Sequence, residues 1–510
     1  MSRQDTLTSL KTHSPTVLIV GGGINGVGTF RDLALQGVNV LLIDHGDFCS
    51  GASAASSRMA HGGIRYLENG EFRLVREAVQ ERNRMIQNAP SLVKPLPTTI
   101  PIFKILSGLF NAPLKFLGWL EKPSERGALI IKIGLIFYDA FTGKGRAVPK
   151  HVFDNRAKSL KKYPRLNPSV CYSATYYDGL ILSPERLTLE IVLNAEAESP
   201  HAKALNYVSL VSVNGDRVTL KDELTSSTFD VRPKLIVNAA GPWIDNANRT
   251  LGLQTHYIGG TKGSHLVLDN PELRAAIGDH EYFFENKDGR IVLIFPLFDK
   301  VMIGASDLPI DDPDSARCTE DEVDYFIEMV RRIFPGIKVA REQIVFRFSG
   351  VRPLAYTQAK NAGQITRDHH IQEDKLGDIP IYSLVGGKWT SFRSFSEQAT
   401  DRALAFLGLS RKASTKSLPI GAGKDASALK TSPDFTRDEI AAMAKREKIV
   451  HLDDLLLRRT LLGYLGQLTR PLVEQMADWS GDALGWDRKQ KNVEVARTLE
   501  ILADRHGVRL

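Results

Sequence analysis

Along this chain the apolar positions change their period several times, and each change marks an element. Val17 to Val20 is a short unbroken apolar run, the pattern of a strand buried on both faces, and Val38 to Ile43 is a second. A helix fits between them. Residues 71–88, EFRLVREAVQERNRMIQN, set Phe72, Val75, Val79 and Met85 at helical spacing with charges between. From residue 173 the pattern predicts a strand, a turn at Asp178-Gly179, and a helix capped by Ser183 with Pro184 in its first turn. Asn214-Gly215-Asp216 separates two apolar runs, 207–213 and 217–220, as a hairpin turn does. Residues 235–237 form another apolar strand, ending in the small residues of NAAGPW at 238–243. Residues 256–310 alternate like an antiparallel sheet, 411–436 are rich in Lys, Ser, Ala and Gly and read as a linker, and helical periodicity alone follows from Arg437.

The first two strands enclose the first chemistry. Gly21, Gly23 and Gly26 form G-x-G-x-x-G directly after the strand, and Asp44 ends the next strand some twenty residues on. Such glycines serve a tight turn, close approach of backbone to a pyrophosphate, and helix-on-strand packing. The phosphates then meet a helix N-terminus, and Asp44 accepts from ribose hydroxyls. The strand–glycine–helix–strand–acid order predicts a bound dinucleotide, and leaves NAD or FAD open. The next stretch, FCSGASAASSRMAHGGIRYL at 48–67, is small, polar and aperiodic. It suits a loop laid along a long cofactor, with Ser53, Ser56, Ser57, His61 and Gly62 offering hydroxyls, a ring and backbone N–H groups. Ala240 and Gly241 in NAAGPW are small enough for backbone to return to the same nucleotide.

Composition narrows the class. At 510 residues the chain holds two or three domains. Cys49, Cys171 and Cys318 are an odd number without C-x-x-C, so neither a disulfide framework nor a metal site is indicated, and a reducing cytosol fits. No secretory signal opens the chain and no apolar run is long enough to span a bilayer. The net charge of +7 suits anionic partners, and no nucleic-acid motif accompanies it, so nucleic acid is not expected.

Several motifs occur together in order: VGGGINGVG at 20–28, SSRMAHGGIRYLENGEFRLVREAVQER at 56–82, NAAGPW at 238–243, TKGSHLVL at 261–268, SGVRPL at 349–354, TRDHHI at 366–371 and GGKWTSFR at 386–393. In these the chain resembles the FAD-dependent sn-glycerol-3-phosphate dehydrogenases, flavoproteins that pass electrons to membrane quinone. The resemblance covers most of the chain. It departs at Asp44, where many members carry Glu, at His369 and His370, at Trp389, and at Ser391-Phe392.

The resemblance implies an α/β fold, in which a discontinuous Rossmann-like FAD-binding domain of the glutathione-reductase/D-amino-acid-oxidase type is joined by an antiparallel-sheet substrate domain and a C-terminal helical domain. The expected divisions are an FAD-binding domain at 1–95, 151–245 and 346–410, an apolar basic segment at 96–150, a sheet domain at 246–345, the linker at 411–436 and helices at 437–510. The cofactor is non-covalent FAD, and the substrate is a polyol phosphate. By resemblance Arg65 and Tyr66 line the pocket and Arg352 contacts substrate oxygens. Arg367 is a further candidate for the phosphate, which guanidinium matches bidentately. His265 in KGSH is the candidate base, with His61 as its rival. Gly387, Lys388 and Thr390 precede a helix, and a Lys there would offset negative charge on the reduced ring; the alternative is an ordinary cap by Thr390 or Ser391. An oxidase reducing dioxygen, a dehydrogenase of a longer polyol phosphate such as a tetritol phosphate, and a flavin sensor without turnover remain alternatives.

One segment points to a surface. Residues 100–138 gather apolar side chains broken by Lys104 and Lys115, and from Lys94 to Lys150 there are nine Lys or Arg against three acids. That pattern suits a helix lying in an anionic membrane interface with its lysines snorkelling, or else a helical hairpin packed into the core. The expected location is therefore cytoplasmic, peripherally attached to the inner membrane through this segment. Homodimer formation stays open.

Overall fold

The computed structural model describes residues 3–64, 71–105, 127–142, 147–286, 290–357, 368–421 and 429–510. Arg65, Tyr66, Arg367 and the centre of the apolar basic segment, 106–126, lie outside these.

Two sheets organise the chain. The first has six strands in the order His370–Leu376, Ile379–Val385, Leu235–Asn238, Val17–Val20, Val40–Ile43, Ala202–Leu205. All pairs are parallel except the edge pair His370–Leu376 with Ile379–Val385. Parallel strands need crossover connections, and the helix Ile24–Leu35 supplies the first one. It is buried along nearly its whole length, packed between the helices Pro184–Glu198 and Phe392–Leu407. Gly28 is required there, because a Cβ on it would stand 2.4 Å from Ser396 Oγ.

The second sheet runs Leu308–Pro309, Thr261–Leu268, Lys300–Gly304, Ile291–Leu297, Glu281–Glu285, Val93–Ile102, Tyr172–Ile181, Met59–Ala60, with Ile344–Arg352 also paired to Thr261–Leu268. It is mostly antiparallel, as the alternation over 256–310 predicts. The helix Pro271–Ile277, capped by the Asn270 side chain, interrupts that stretch. The sheet recruits strands from afar: Tyr172–Ile181 belongs to it, although the sequence reading places 151–245 with the nucleotide domain, and so does Val93–Ile102, which that reading divides between the nucleotide domain and the apolar basic segment at 96–150. Ile344–Arg352 likewise crosses the expected boundary at 346.

Three further readings are corrected. Asp178 and Gly179 are not a turn; they sit inside Tyr172–Ile181, paired with Leu96 and Pro95. The polar residue there serves a buried bonding network rather than a chain reversal, since Asp178 Oδ1 accepts from the Gly62 N–H at 2.9 Å and from Tyr138 Oη at 2.5 Å. The second strand begins at Val40 rather than Val38. The described part of the linker is strapped to the core: Arg411 donates to both oxygens of buried Asp32, and Ile420 is itself buried. The hairpin at Asn214–Arg217 forms as its glycine demands, with Gly215 at φ +63°.

The C-terminal helix Arg470–Leu484 packs against Arg437–Arg446 and Arg488–His506, and both it and Arg488–His506 meet Leu452–Asp454. Their apolar faces share a core with Phe346 and Phe348 of the second sheet. No described helix is long and apolar enough to cross a membrane.

Candidate active site

A continuous cavity of about 2210 Å³ runs between the two sheets and under the C-terminal helices. That is larger than a drug-sized pocket of roughly 300–1,000 Å³, and it accommodates a dinucleotide together with a small substrate.

At one end the glycine motif forms its wall. Gly21, at φ +111°, passes so close to the strand end at residue 239 that a Cβ would sit 2.5 Å from the Ala239 carbonyl oxygen. Gly26 packs against the Gly21 carbonyl with no room for a side chain, so its role is behind the cavity rather than in it. Gly23 is the N-cap of Ile24–Leu35, and the first helical N–H, that of Ile24, donates to Ser53 Oγ at 2.9 Å. The 48–57 loop therefore crosses the helix N-terminus, where an anion is favoured. Asp44 ends its strand with Oδ2 accepting from Gly22 N–H at 2.6 Å and Oδ1 from Gly46 N–H at 2.8 Å. Burial pushes its carboxyl up, partly offset by His45 and these N–H bonds. A carboxylate has about four lone-pair sites, so capacity for a ribose remains. Ala240 and Gly241 line the same wall. These residues form a cradle whose backbone N–H groups, helix N-terminus and carboxylate suit an adenosine and a pyrophosphate.

At the other end the second sheet contributes a histidine and an arginine. His265 and Phe348 are paired across adjacent strands and their rings stack, 4.8 Å apart and 7° from parallel. On the opposite side Gly304 pairs with His265, and a Cβ there would stand 2.0 Å from the imidazole. His265 is thus wedged upright, with Nε2 2.8 Å from Ser57 Oγ. Burial, then the Arg352 and Arg58 charges, hold its pKa down to about 3, so the imidazole is neutral at physiological pH. Arg352 stands on the neighbouring strand and folds back over Gly263, where a Cβ would meet its guanidinium at 2.4 Å. Its Nη1 donates to Asp307 at 3.1 Å and its Nη2 to the Ser306 carbonyl at 3.0 Å. Both His265 and Arg352 face the cavity.

The GGKWT turn joins the two ends. Gly387 at φ +90° leaves no space beside Asn25, and Lys388 lines the cavity next to it. Thr390 does not cap the following helix; its Oγ1 donates to the His61 carbonyl at 3.0 Å, and Trp389 Nε1 donates to the Ser53 carbonyl at 2.9 Å. Neither Thr390 nor Ser391 makes a side-chain cap bond, which removes the ordinary-cap alternative. Ser53, Ser56, Ser57 and His61 line the cavity, whereas Gly62 turns away and packs under Tyr138.

Some residues here were not legible as site residues. Arg82 donates to Tyr138 Oη at 2.8 Å and to the Tyr177 carbonyl at 2.7 Å, and so buttresses Asp178 beneath Gly62. The available signal was one charged residue inside a strand that is otherwise uncharged. Lys262 of KGSH is spent on Glu322 at 2.8 Å, which also accepts from Ser264 and Ser306. Among the described residues no cluster of His, Cys, Asp and Glu could hold a metal ion.

Comparison with known proteins agrees with this architecture. Residues 16–376 match the family described as FAD dependent oxidoreductase, and residues 401–491 match the C-terminal domain of alpha-glycerophosphate oxidase. A glycerol-3-phosphate dehydrogenase of Synechocystis sp. is 36% identical over 409 residues, 76% of this chain and 69% of that protein. A D-erythritol 1-phosphate dehydrogenase of Brucella abortus is 31% identical over 394 residues, 76% of this chain and 73% of that one. In fold, the FAD complex of glycerol-3-phosphate dehydrogenase from Bacillus halodurans superposes with a TM-score of 0.73 at 22% identity, covering 98% of this chain and 97% of that one. The chain belongs to the FAD-dependent oxidoreductases, within the glycerol-3-phosphate dehydrogenase family.

Proposed function

We propose that this protein oxidises sn-glycerol 3-phosphate to dihydroxyacetone phosphate and passes the electrons to a membrane quinone. The observation that carries the reading is the pair of neighbouring strands that brings Arg352 and His265 to one cavity continuous with the dinucleotide cradle, the Arg352 guanidinium folded back over Gly263 in the direction of His265. An anion grip next to a neutral base is what a secondary alcohol beside a phosphate ester needs.

Bound FAD supplies the hydride acceptor. The chain's own groups do the rest. Arg352 holds phosphate oxygens through its fork of N–H donors. His265 takes the hydroxyl proton at Nε2, the atom now facing Ser57. A phosphate dianion beside Arg352 offsets the guanidinium charge that helps hold the imidazole down, so substrate binding itself raises the basicity of His265. Lys388 supplies positive charge where negative charge develops on the reduced cofactor. Arg65, Tyr66 and Arg367 are proposed to complete the pocket.

Attachment to the membrane is supported by the helix Ala128–Thr142. It buries Ile131, Leu135 and Tyr138 but exposes Leu129, Ile133, Ile136 and Phe137, each more than 40% accessible. Four large apolar side chains on one exposed helix face form a patch that solvent disfavours and a lipid interface accepts.

The test is anaerobic flavin reduction by glycerol 3-phosphate, then reoxidation by a soluble quinone analogue or by dioxygen. Rapid reduction with quinone-dependent turnover supports the reading, and turnover with dioxygen alone reassigns the protein as an oxidase. Faster reduction by erythritol 1-phosphate transfers it to the longer substrate, a reading the Brucella relative favours. Acid precipitation should leave the yellow flavin in the supernatant, since the cofactor is held without a covalent bond.

A further inference from the structure

The turn after Asp44 does not end in solvent. Asp47, three residues on, is completely buried, and a carboxylate there is tolerated only when it is fully paired. The Asn206 amide donates to its Oδ1 at 3.0 Å, and its charged partners come from the far end of the chain. Arg459 donates through Nη1 and Nη2 to Oδ2 and Oδ1 at 2.6 and 2.9 Å, and Arg458 Nε donates to Oδ2 at 2.7 Å. Burial alone would push this carboxyl up; the Arg459 and Arg458 charges override it and hold the pKa at about 2. A second clasp lies beside the first. Tyr207 donates its backbone N–H to the Gly46 carbonyl at 3.0 Å and its hydroxyl to Asp454 at 2.6 Å, and Arg458 reaches Asp454 as well. Both clasps act on the Asp44–Asp47 turn, whose Gly46 N–H orients the Asp44 carboxylate. The cavity wall facing that turn is built by the same C-terminal helices, through His451, Asp453, Leu457 and Arg458.

From this arrangement we infer that the C-terminal helical domain is the outer wall of the adenosine half of the FAD site, and that Asp47, Arg458 and Arg459 are positioning residues that hold the ribose-binding turn in place. The inference rests on the FAD reading of residues 17–45. An ion pair serving stability alone would connect any two surfaces. This one connects the C-terminal domain to the three residues that follow the ribose acid.

The test compares FAD and ADP binding to full-length apoprotein of wild type, Asp47→Asn and Arg459→Lys. ADP reports the adenosine half alone. Arg459→Lys keeps a paired charge and hence the fold, so it carries the test even if Asp47→Asn does not fold. The Kd for FAD and that for ADP should rise together, by ~10-fold or more, with the visible spectrum of the reloaded flavin unchanged. Kd values within twofold of wild type alongside a lower Tm would make the clasp a stability element and overturn the inference. So would an FAD Kd that rises while that for ADP does not. Wild-type apoprotein that binds neither ligand would instead sink the FAD reading itself.

Discussion

Ser57 Oγ stands 2.8 Å from His265 Nε2, although 208 positions separate the two residues. One belongs to the loop that crosses the helix N-terminus at Ile24 and the other to a strand of the second sheet, so this contact ties the proposed cofactor half of the site to the proposed substrate half. A hydroxyl already sits where the substrate hydroxyl is proposed to give up its proton. Changing His265 to Ala should therefore lower kcat by ~10²-fold or more and leave KM less affected. Stopped-flow flavin reduction at saturating substrate measures this directly. If the variant reduces its flavin at near the wild-type rate with an unaltered pH profile, the base lies elsewhere, and His61 becomes the candidate.

Arg352 holds Asp307 and the Ser306 carbonyl with its terminal nitrogens, a geometry that only a planar fork satisfies while still presenting N–H groups to an anion. Lysine offers one point charge in its place. Arg352→Lys should raise KM and lower kcat, with kcat/KM down by ~10-fold or more, while flavin content stays at the wild-type level. A kcat/KM within twofold of wild type would remove Arg352 from the substrate site.

The nucleotide cradle was legible in the sequence because its physics is local: a strand, three glycines and an acid act within thirty residues. The C-terminal helices and the hairpin at Asn214–Arg217 were legible for the same reason. What escaped depends on contacts between distant segments. Asp178 mimics a turn residue until Gly62, Tyr138 and Arg82 are brought to it. Trp389 looks like a departure from the family pattern, yet its indole bonds the Ser53 carbonyl and locks the GGKWT turn to the cofactor loop. His369, another departure, packs on Phe395, 4.3 Å between ring centroids, and takes no place in the cavity. No periodicity reports that a strand at 93–102 will join a sheet built largely from residues 261–352.

Glu281 gives the site a pH signature. It lines the cavity, is nearly inaccessible, and accepts from Thr98 Oγ1 at 2.7 Å. Burial pushes its carboxyl up to about 8, with the Thr98 bond opposing and Asp178 adding to the rise. An acid whose folded pKa lies above its unfolded value keeps its full contribution below the unfolded value of 4.5 and loses it as pH climbs through the folded one. Stability should fall across that window by at most ~1.4 kcal/mol per pH unit for this one proton. Glu281→Gln removes the titration. Urea midpoints at pH 5, 6, 7 and 8 should therefore shift in the variant's favour as pH rises, and a difference that stays constant would show that Glu281 ionises normally.

The remaining prediction concerns the membrane. Of the apolar basic segment the described residues include Val93–Ile102 and the helix Ala128–Thr142, and these behave differently. The strand is built into the second sheet, so residues 93–102 are structural rather than lipid-facing. The helix is anchored from behind by Tyr138, whose hydroxyl meets Gly62 and Asp178 and whose ring packs edge-on against Tyr176 at 5.5 Å. Its outer face carries Ile133, Ile136 and Phe137 at 47, 53 and 48% exposure, with Phe72 of the helix Phe72–Asn88 beside Phe137. Replacing Ile133, Ile136 and Phe137 by Ser removes apolar area that is already solvent-exposed, so the fold should hold. Each of the three is about half exposed, so burying the exposed part in lipid is worth roughly 1 kcal/mol apiece, enough together that their loss should weaken binding to anionic liposomes by ~10²-fold. Turnover with a membrane-dissolved quinone should fall with it, while turnover with a soluble dye acceptor should survive. A triple variant that still sediments with liposomes, and still reduces quinone there, would show that this helix face is not the contact.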